Sequence, residues 1–206
     1  MKGESAVRLV EKGYDKIHMC YSSQRIWRSN LKEVALLTKR MEKGASILDV
    51  GCGAGAIAKI LSKNGFNVTG ADISSNMLRL AKKALPKARF YKMDMRRLKL
   101  PKDSFDAITC FYAIIHVPRQ YHLKVLKGFR RILKPSGLLL ISMSTGPAEG
   151  TIADWQDWGA PMYWSQFGKR RNIQLVRKAG FKVLWNRVDS TGPKDDRHLY
   201  ILAQKR

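Results

Sequence analysis

The chain has 206 residues, of which 45% are hydrophobic, and this length is enough for one domain with a full core. No apolar run reaches the roughly 20 residues that a membrane-spanning helix needs, and the charged N-terminal segment is not typical of a secretory signal. The three cysteines form no metal-binding pattern. We therefore expect a cytoplasmic protein with no structural metal and no membrane partner.

The charge of the chain is strongly positive. It has 39 lysines and arginines against 16 aspartates and glutamates, which gives a formal net charge of +23. Such an excess attracts polyanions and predicts RNA as one candidate partner. Two interpretations stay open, because the basic residues are spread along the chain: solvated helix faces or a nucleic-acid footprint. The basic groups lie at 82–83, 96–97, 130–131, 169–171 and 177–178.

Two helices are predicted before the first strand. They span residues 4 to about 43, with a break near Tyr21 and a second helix that begins near Gln24. The spacing of the apolar residues places one side of this second helix against a core. The residues on that predicted face are Leu31, Val34, Ala35, Leu37 and Met41.

A strand, a glycine-rich turn and a helix follow at residues 47–61. The short apolar run ends at Asp49 and Val50, and the turn contains Gly51, Cys52 and Gly53. Glycine adopts positive φ and lets a ligand approach the backbone closely. This is the first unit of a doubly wound α/β sheet, whose ligand lies beyond the carboxyl end of the strand.

A second acidic residue follows at a characteristic distance. Residues 66–71 predict a strand, and Asp72 stands at its end, 19 positions after Gly53. An acidic residue about 20 positions after such a turn binds ribose hydroxyls in this architecture, since a carboxylate accepts two hydrogen bonds at once. The alternative role, an N-cap for the next helix, falls to Ser74 instead.

The rest of the sheet is predicted from further apolar runs. Strands at 88–92, 104–111 and 138–143 are followed by a helix at 165–179 and by two final strands at 181–188 and 198–203. The third strand leads into Asp94 and Met95, and the fourth leads into His116. The polar residues 189–196 predict the turn of a closing hairpin.

The chain resembles the class I (Rossmann-like) S-adenosylmethionine-dependent methyltransferases, of the small type 11 kind. The resemblance depends on motifs that follow in order along the chain: Asp-x-Gly-x-Gly-x-Gly at 49–55, the acidic residues at 72 and 94, LKPSG at 133–137 and the final hairpin. The resemblance covers roughly residues 44–204. It implies an α/β, Rossmann-like three-layer sandwich with a seven-stranded, mostly parallel sheet, an antiparallel last strand and an N-terminal helical cap. We expect one domain over 1–206: a helical cap (1–43), a cofactor-binding half (44–143), and an aromatic cap segment with the C-terminal helix and hairpin (144–206).

The resemblance also implies roles for individual residues toward S-adenosylmethionine. Asp49 and the turn would hold its methionine end, Asp72 its ribose, and Asp94 with Met95 its adenine. Aromatic residues of the N-terminal helices would touch the cofactor, although plain core packing is an equal alternative for them. The expected cofactor-binding residues are Tyr14, Tyr21, Asp49, Gly51, Cys52, Gly53, Asp72, Ile73, Met77, Asp94, Met95 and Phe111.

His116 is the one candidate for a general base. It follows the fourth strand, at the point where the reactive methyl group would emerge, so it could contact cofactor or substrate or accept a proton. The alternative is a structural histidine that is bonded to the backbone.

Residues 144–167 are predicted as a loop-like stretch rich in large aromatic side chains. They would form a lid over an apolar or planar substrate, or a satellite core beneath a long connection. The expected substrate-binding residues are His116, Trp155, Trp158, Tyr163 and Trp164.

The predicted function is methyl transfer from S-adenosylmethionine, with S-adenosylhomocysteine as the product, to a nucleophilic atom of a small-molecule acceptor. The chain lacks the Asp/Asn-Pro-Pro-Tyr and Pro-Cys motifs that mark base-modifying methylases. Two alternatives remain: a tRNA or rRNA methyltransferase, which the net charge favours, and a non-catalytic scaffold that binds the cofactor.

Overall fold

The structure is a computed structural model that describes residues 3–23, 30–190 and 197–206, without the side chain of Ser190. The predicted start of the second helix, near Gln24, and most of the predicted 189–196 turn lie outside these residues. The helices are α1 (Gly3–Ser23), α2 (Leu31–Thr38), α3 (Ala56–Lys63), α4 (Ser75–Ala84), α5 (His122–Ile132) and α6 (Lys169–Lys178). The strands are β1 (Ser46–Val50), β2 (Asn67–Asp72), β3 (Arg89–Lys92), β4 (Phe105–Cys110), β5 (Leu133–Ser144), β6 (Ala148–Ile152), β7 (Met162–Gln166), β8 (Phe181–Ser190) and β9 (Arg197–Lys205).

Seven strands form one twisted sheet in the order β3-β2-β1-β4-β5-β9-β8. β1 pairs in parallel with both β2 and β4, and only β9 runs antiparallel to its neighbours. The strand order reverses at β1, so the carboxyl ends of β1 and β4 border the crevice where such sheets bind ligands. The predicted Rossmann-like three-layer sandwich is confirmed.

Two apolar layers cover the two faces of the sheet. Helices α2, α3 and α4 pack on one face, where Leu37, Leu61 and Leu78 are buried. Helices α5 and α6 pack on the other, where Phe129 and Val176 are buried. Right-handed crossovers on either side of the switch point require this arrangement.

The predicted buried face of α2 is partly wrong. Leu31 is 43% exposed, whereas Glu33 is only 1% exposed and pairs with Arg187 of β8 at 2.7 Å. The helix therefore rests on the stripe that contains Glu33, Val34 and Leu37. A cation on a distant strand makes burial of this carboxylate tolerable, and no local apolar pattern could indicate that partner.

Residues 144–167 also differ from the prediction. They contain a second, two-stranded antiparallel sheet in which β6 pairs with β7, and Ile152 lies opposite Met162. This hairpin packs against α1, where Ala6, Val10 and Ile17 form a small core with Met162 and Tyr163. The hairpin and α1 thus lie together at one edge of the main sheet.

None of the helices in the described residues is long and apolar enough to cross a membrane.

Candidate active site

The turn after β1 brings backbone to the mouth of the crevice. Gly51 and Gly53 have φ of 69° and 52°, a conformation that residues with side chains rarely adopt. A Cβ atom on Gly51 would lie 2.2 Å from the Cβ of Ala113, and one on Gly53 would point at the Tyr21 ring, 3.5 Å away. The turn is therefore tightly enclosed between the end of β4 and helix α1.

A cavity lies over this turn, between the carboxyl ends of the strands and α1. Most of the predicted cofactor-binding residues line it. They are Tyr14, Tyr21, Gly51, Gly53, Asp72, Ile73, Met77, Asp94, Met95 and Phe111, and His116 lines it as well. We call this space the main cavity.

Asp49 and Cys52 line a different, adjoining cavity, which we call the side cavity. Tyr21 and Gly51 line both cavities, so the two spaces meet at the glycine turn. The Cys52 thiol is buried and its pKa is raised by that burial, so it stays protonated.

Asp72 is fixed by the turn that it faces. One of its oxygens accepts a hydrogen bond from Gly53 N at 2.8 Å, and the other accepts from Ser74 N at 2.9 Å. Burial raises the pKa of this carboxyl, while these backbone bonds oppose the rise. Each oxygen retains a lone pair for a further donor in the main cavity.

The carboxyl group of Asp49 has fewer hydrogen-bond partners than that of Asp72. Its Oδ1 accepts a hydrogen bond from Thr109 Oγ1 at 2.7 Å, but its Oδ2 is buried and has no partner. Burial raises the pKa of Asp49 from 3.8 to about 7. A buried carboxylate oxygen without a donor is costly, and a cation or an N–H donor in the side cavity would remove that cost.

Asp94 is held by its own neighbours. It accepts a hydrogen bond from Arg96 N at 2.8 Å and pairs with the Arg96 guanidinium at 2.6 Å. The Arg96 side chain is only 5% exposed, so this pair lies inside the protein. The carboxylate is thereby fixed at the end of the main cavity beside Met95.

His116 forms a hydrogen bond at each ring nitrogen. Its Nδ1 lies 2.8 Å from the Tyr163 carbonyl oxygen, and its Nε2 lies 2.8 Å from the Tyr14 hydroxyl. A carbonyl oxygen only accepts, so Nδ1 carries the proton and Nε2 accepts from Tyr14. Burial lowers the pKa of His116 to about 4, so the ring is neutral at pH 7.

The four predicted substrate-binding aromatics line neither cavity. Trp155 packs edge-on against His116 at 5.2 Å between ring centroids, and Trp158 packs against Tyr21 at 5.7 Å. Tyr163 is buried and donates a hydrogen bond to Glu149, and Trp164 lies across the hairpin from Gly150. Trp155, Trp158 and Tyr163 belong to the small core that α1 forms with the hairpin, and direct contact of the four rings with a substrate stays a prediction.

The charged side chains that line the two cavities are acidic. Asp72 and Asp94 line the main cavity and Asp49 lines the side cavity. No lysine or arginine is present among the described residues that line either space. The interior is thus suited to a ligand with positive charge and hydrogen-bond donors.

Sequence reasoning missed several residues of the cavity wall. Val7 and Val10 of α1 precede Tyr14 at helical spacing, so the inward stripe of α1 could have been found from its period. No sequence pattern indicated Tyr112: its φ of 53° and the hydrogen bond from its hydroxyl to Asn30, 2.8 Å away, depend on tertiary contacts.

Sequence reasoning also missed Asp15, which lies outside the cavity wall. It accepts a hydrogen bond from Ser74 Oγ at 2.6 Å and so links α1 to the loop after β2.

Comparisons with known proteins agree with this geometry. Residues 48–141 match the family described as "Methyltransferase domain". The chain is 31% identical to YqeM of Bacillus subtilis over 156 residues, which are 70% of this chain and 62% of that protein. It is 28% identical to the ubiquinone/menaquinone biosynthesis C-methyltransferase UbiE of Campylobacter jejuni over 202 residues, with 93% and 82% of the two chains covered.

Among solved structures, the 1,6-didemethyltoxoflavin-N1-methyltransferase of Burkholderia thailandensis has the same fold, with a TM-score of 0.77 at 18% identity. The match covers 100% of this chain and 91% of that one, which was crystallised with 1,6-didemethyltoxoflavin and S-adenosylhomocysteine. The chain spans about three fifths of YqeM, as the 62% coverage shows.

Proposed function

We propose that the chain is a class I S-adenosylmethionine-dependent methyltransferase, as its match to the methyltransferase domain family suggests, and that it transfers a methyl group to a small, largely apolar acceptor. One observation carries this proposal: the two joined cavities contain three carboxylates and no lysine or arginine among their described lining residues. That charge pattern suits a cationic cofactor and an uncharged acceptor, and it repels a phosphate-rich one.

The residues present fit the cofactor. Asp49 offers an unpartnered buried oxygen in the side cavity, where an ammonium group would remove its desolvation cost. Asp72 offers free lone pairs to a ribose diol, and Asp94 would face the adenine amino group. Tyr21 lies where the two cavities meet and would close over the ligand.

Tyr14 and His116 would handle the acceptor's proton. When bound, S-adenosylmethionine supplies the methyl group from a positively charged sulfur, and that charge disappears on transfer. Tyr14 Oη would receive the acceptor's proton while its own proton moves to His116 Nε2. The total charge of the cavity stays the same, because the sulfur loses its positive charge as the imidazolium forms, and this offsets part of the cost of charging the buried ring.

The walls of the main cavity would exclude water and select an apolar acceptor. Val7, Val10 and Met93 line it, and α1 with the β6–β7 hairpin closes it from outside. Exclusion of water and fixed orientation are the main contributions that a protein makes when the methyl donor is already activated.

UbiE and the toxoflavin enzyme, which resemble this chain, carry small molecules in their names, and this agrees with the proposal. The RNA methyltransferase alternative requires a polyanion at the acidic cavities. The scaffold alternative is disfavoured by the tight geometry of Asp72, Gly53 and the Tyr14–His116 pair.

Calorimetric titration with S-adenosylmethionine and S-adenosylhomocysteine, with NADH as control, tests the cofactor. We expect micromolar binding of the first two alone. Transfer of radiolabelled methyl is then measured with demethylmenaquinol, other reduced quinones and flat heterocycles, and with bulk tRNA. Labelled tRNA with no labelled small molecule would overturn the acceptor class, and cofactor binding without turnover on any acceptor would favour the scaffold.

A further inference from the structure

Helices α5 and α6 form a dense basic surface on one side of the molecule. They lie in the same layer over the sheet and contribute nine lysines and arginines but no aspartate or glutamate. All of these side chains are exposed except that of Arg130, which is half-buried. The nine residues, which we call the α5–α6 basic face, are Lys124, Lys127, Arg130, Arg131, Lys169, Arg170, Arg171, Arg177 and Lys178.

The charges of this face are not neutralised within the protein. In the described part of the chain, none of the nine residues forms an ion pair with an acidic side chain. The charged bonds lie elsewhere, for example between Arg119 and Glu149 and between Lys134 and Asp106. Arg130 and Arg131 donate only to backbone carbonyls. Side chains that stabilised the fold by ion pairing would have acidic partners, so the fold does not account for this charge.

The basic charge also avoids the helix that covers the cavity. Helix α1 carries three acidic and three basic residues and is therefore neutral, apart from its histidine. The α5–α6 basic face extends to the edge of the sheet where α1 lies. The backbone N–H of Lys169, at the start of α6, donates a hydrogen bond to the carbonyl oxygen of Thr145, just after β5. There Arg119 and Arg171 both lie over the Phe167 ring, at 5.6 and 5.8 Å.

We propose that the α5–α6 basic face is a docking surface for the phosphate backbone of RNA. With a rise of about 1.5 Å per residue and a helix separation of about 9 Å, the two helices present two rows of cations roughly 10 to 14 Å long. Such rows would neutralise about four or five phosphates, with no base readout, since the face has no exposed aromatic side chain.

An anionic membrane is the less suitable partner. Membrane-binding helices combine basic side chains with exposed apolar ones that enter the headgroup region. The exposed large apolar side chains of the described residues are Met19, Leu31, Tyr91, Ile152 and Leu184, and none lies on α5 or α6. This inference goes beyond the proposed function, because the RNA contacts a face outside the cavities and need not be methylated.

The test measures binding of a fluorescent 20-nucleotide oligouridylate to the full chain by anisotropy, between 50 and 200 mM salt. With about five phosphates contacted, the slope of log K against log salt is expected near −3.5, at about −0.7 per phosphate on a single strand. No measurable binding at 50 mM salt would overturn the proposal.

Two matched variants locate the binding face. The first is K124Q/K127Q/R170Q/R177Q/K178Q on α5 and α6, and the second is K59Q/K63Q/R79Q/K82Q/K83Q on α3 and α4. Each removes five exposed basic residues, so the net charge falls equally. The first should lower affinity about 30-fold and reduce the magnitude of the salt slope by about 2, whereas the second should change affinity less than about 3-fold.

Equal weakening by the two variants would show attraction by net charge alone and would overturn the docking face. So would tighter binding to vesicles of one part phosphatidylglycerol and three parts phosphatidylcholine than to RNA. S-adenosylhomocysteine affinity and the melting temperature of each variant are measured in parallel. If the fivefold variant fails to fold, the exposed pair K124Q/K178Q against K59Q/K83Q gives the same comparison with a smaller expected ratio.

Discussion

The joined cavities and the α5–α6 basic face belong to one chain but have opposite charge. Within the described residues, the cavities are lined by Asp49, Asp72 and Asp94 with no lysine or arginine. The α5–α6 face carries nine basic residues with no acidic one. The net charge of +23 therefore reflects basic residues on the outer helices. The chemistry of the interior depends instead on a few carboxylates at the ends of strands.

The two regions also differ in how tightly they constrain the backbone. At Gly51 the turn has no room for one added carbon, while Gly128, in the middle of α5, has nothing within 4 Å of an added Cβ. Sites that position ligands hold strained backbone in place by dense contacts, and solvated helix faces need only helical propensity. The predictions below test this difference, from the largest expected effect to the smallest.

Gly51→Ala should be the most damaging single change. Its Cβ would overlap that of Ala113 at a positive φ, and we expect a loss of roughly 2 to 4 kcal/mol in the free energy of unfolding, measured with urea. Gly128→Ala on α5 is the control and should raise stability by roughly 0.5 to 1 kcal/mol. Equal effects of the two substitutions would contradict the tight geometry of the turn.

Tyr14→Phe should lower kcat about 100-fold on the acceptor found by the methyl-transfer screen, because the route to His116 Nε2 is lost. His116→Ala should act in the same way, and both should leave S-adenosylhomocysteine affinity within about 3-fold. Tyr21→Phe is the control, because the Tyr21 hydroxyl takes no part in the proposed proton transfer from the acceptor through Tyr14 to His116. Unchanged turnover in Tyr14→Phe would make the Tyr14–His116 bond structural.

Asp72→Ala should weaken binding of S-adenosylhomocysteine about 30-fold by calorimetry, because a hydrogen bond to a charged acceptor contributes roughly 1.5 to 3 kcal/mol. Asp103→Ala, which removes an acidic residue outside both cavities, should leave the affinity unchanged. Wild-type affinity in Asp72→Ala would show that the ribose assignment is wrong.

Asp49 should make cofactor binding depend on pH. Its pKa of about 7 means that a cation binds better as the carboxyl ionises, so affinity for S-adenosylmethionine should rise about tenfold from pH 6 to pH 8. The raised pKa also means that its contribution to stability falls as pH rises from about 4 to about 7 in the unliganded protein. Asp49→Asn should flatten both profiles, and a pH dependence that survives this change would come from another group.

The cofactor half of the fold was predictable because its signals are local. A glycine turn needs particular backbone angles, a parallel strand needs an apolar run, and the spacing from Gly53 to Asp72 follows from one helix and one strand between them. The resulting proximity is observed directly, since Asp72 accepts a hydrogen bond from Gly53 N.

Only the tertiary structure decided the partners of the buried polar groups and the shape of the aromatic segment. The burial of Glu33 depends on Arg187, which is 154 residues away along the chain, and the tautomer of His116 depends on a carbonyl in β7. The aromatic segment became a hairpin because α1 gives it an apolar surface to cover. Apart from the β6–β7 hairpin, the sequence by itself determined the elements and their order, since these depend on short-range sterics and periodicity. The partners of each buried polar group depend on which distant segments the fold brings together, and no local pattern encodes them.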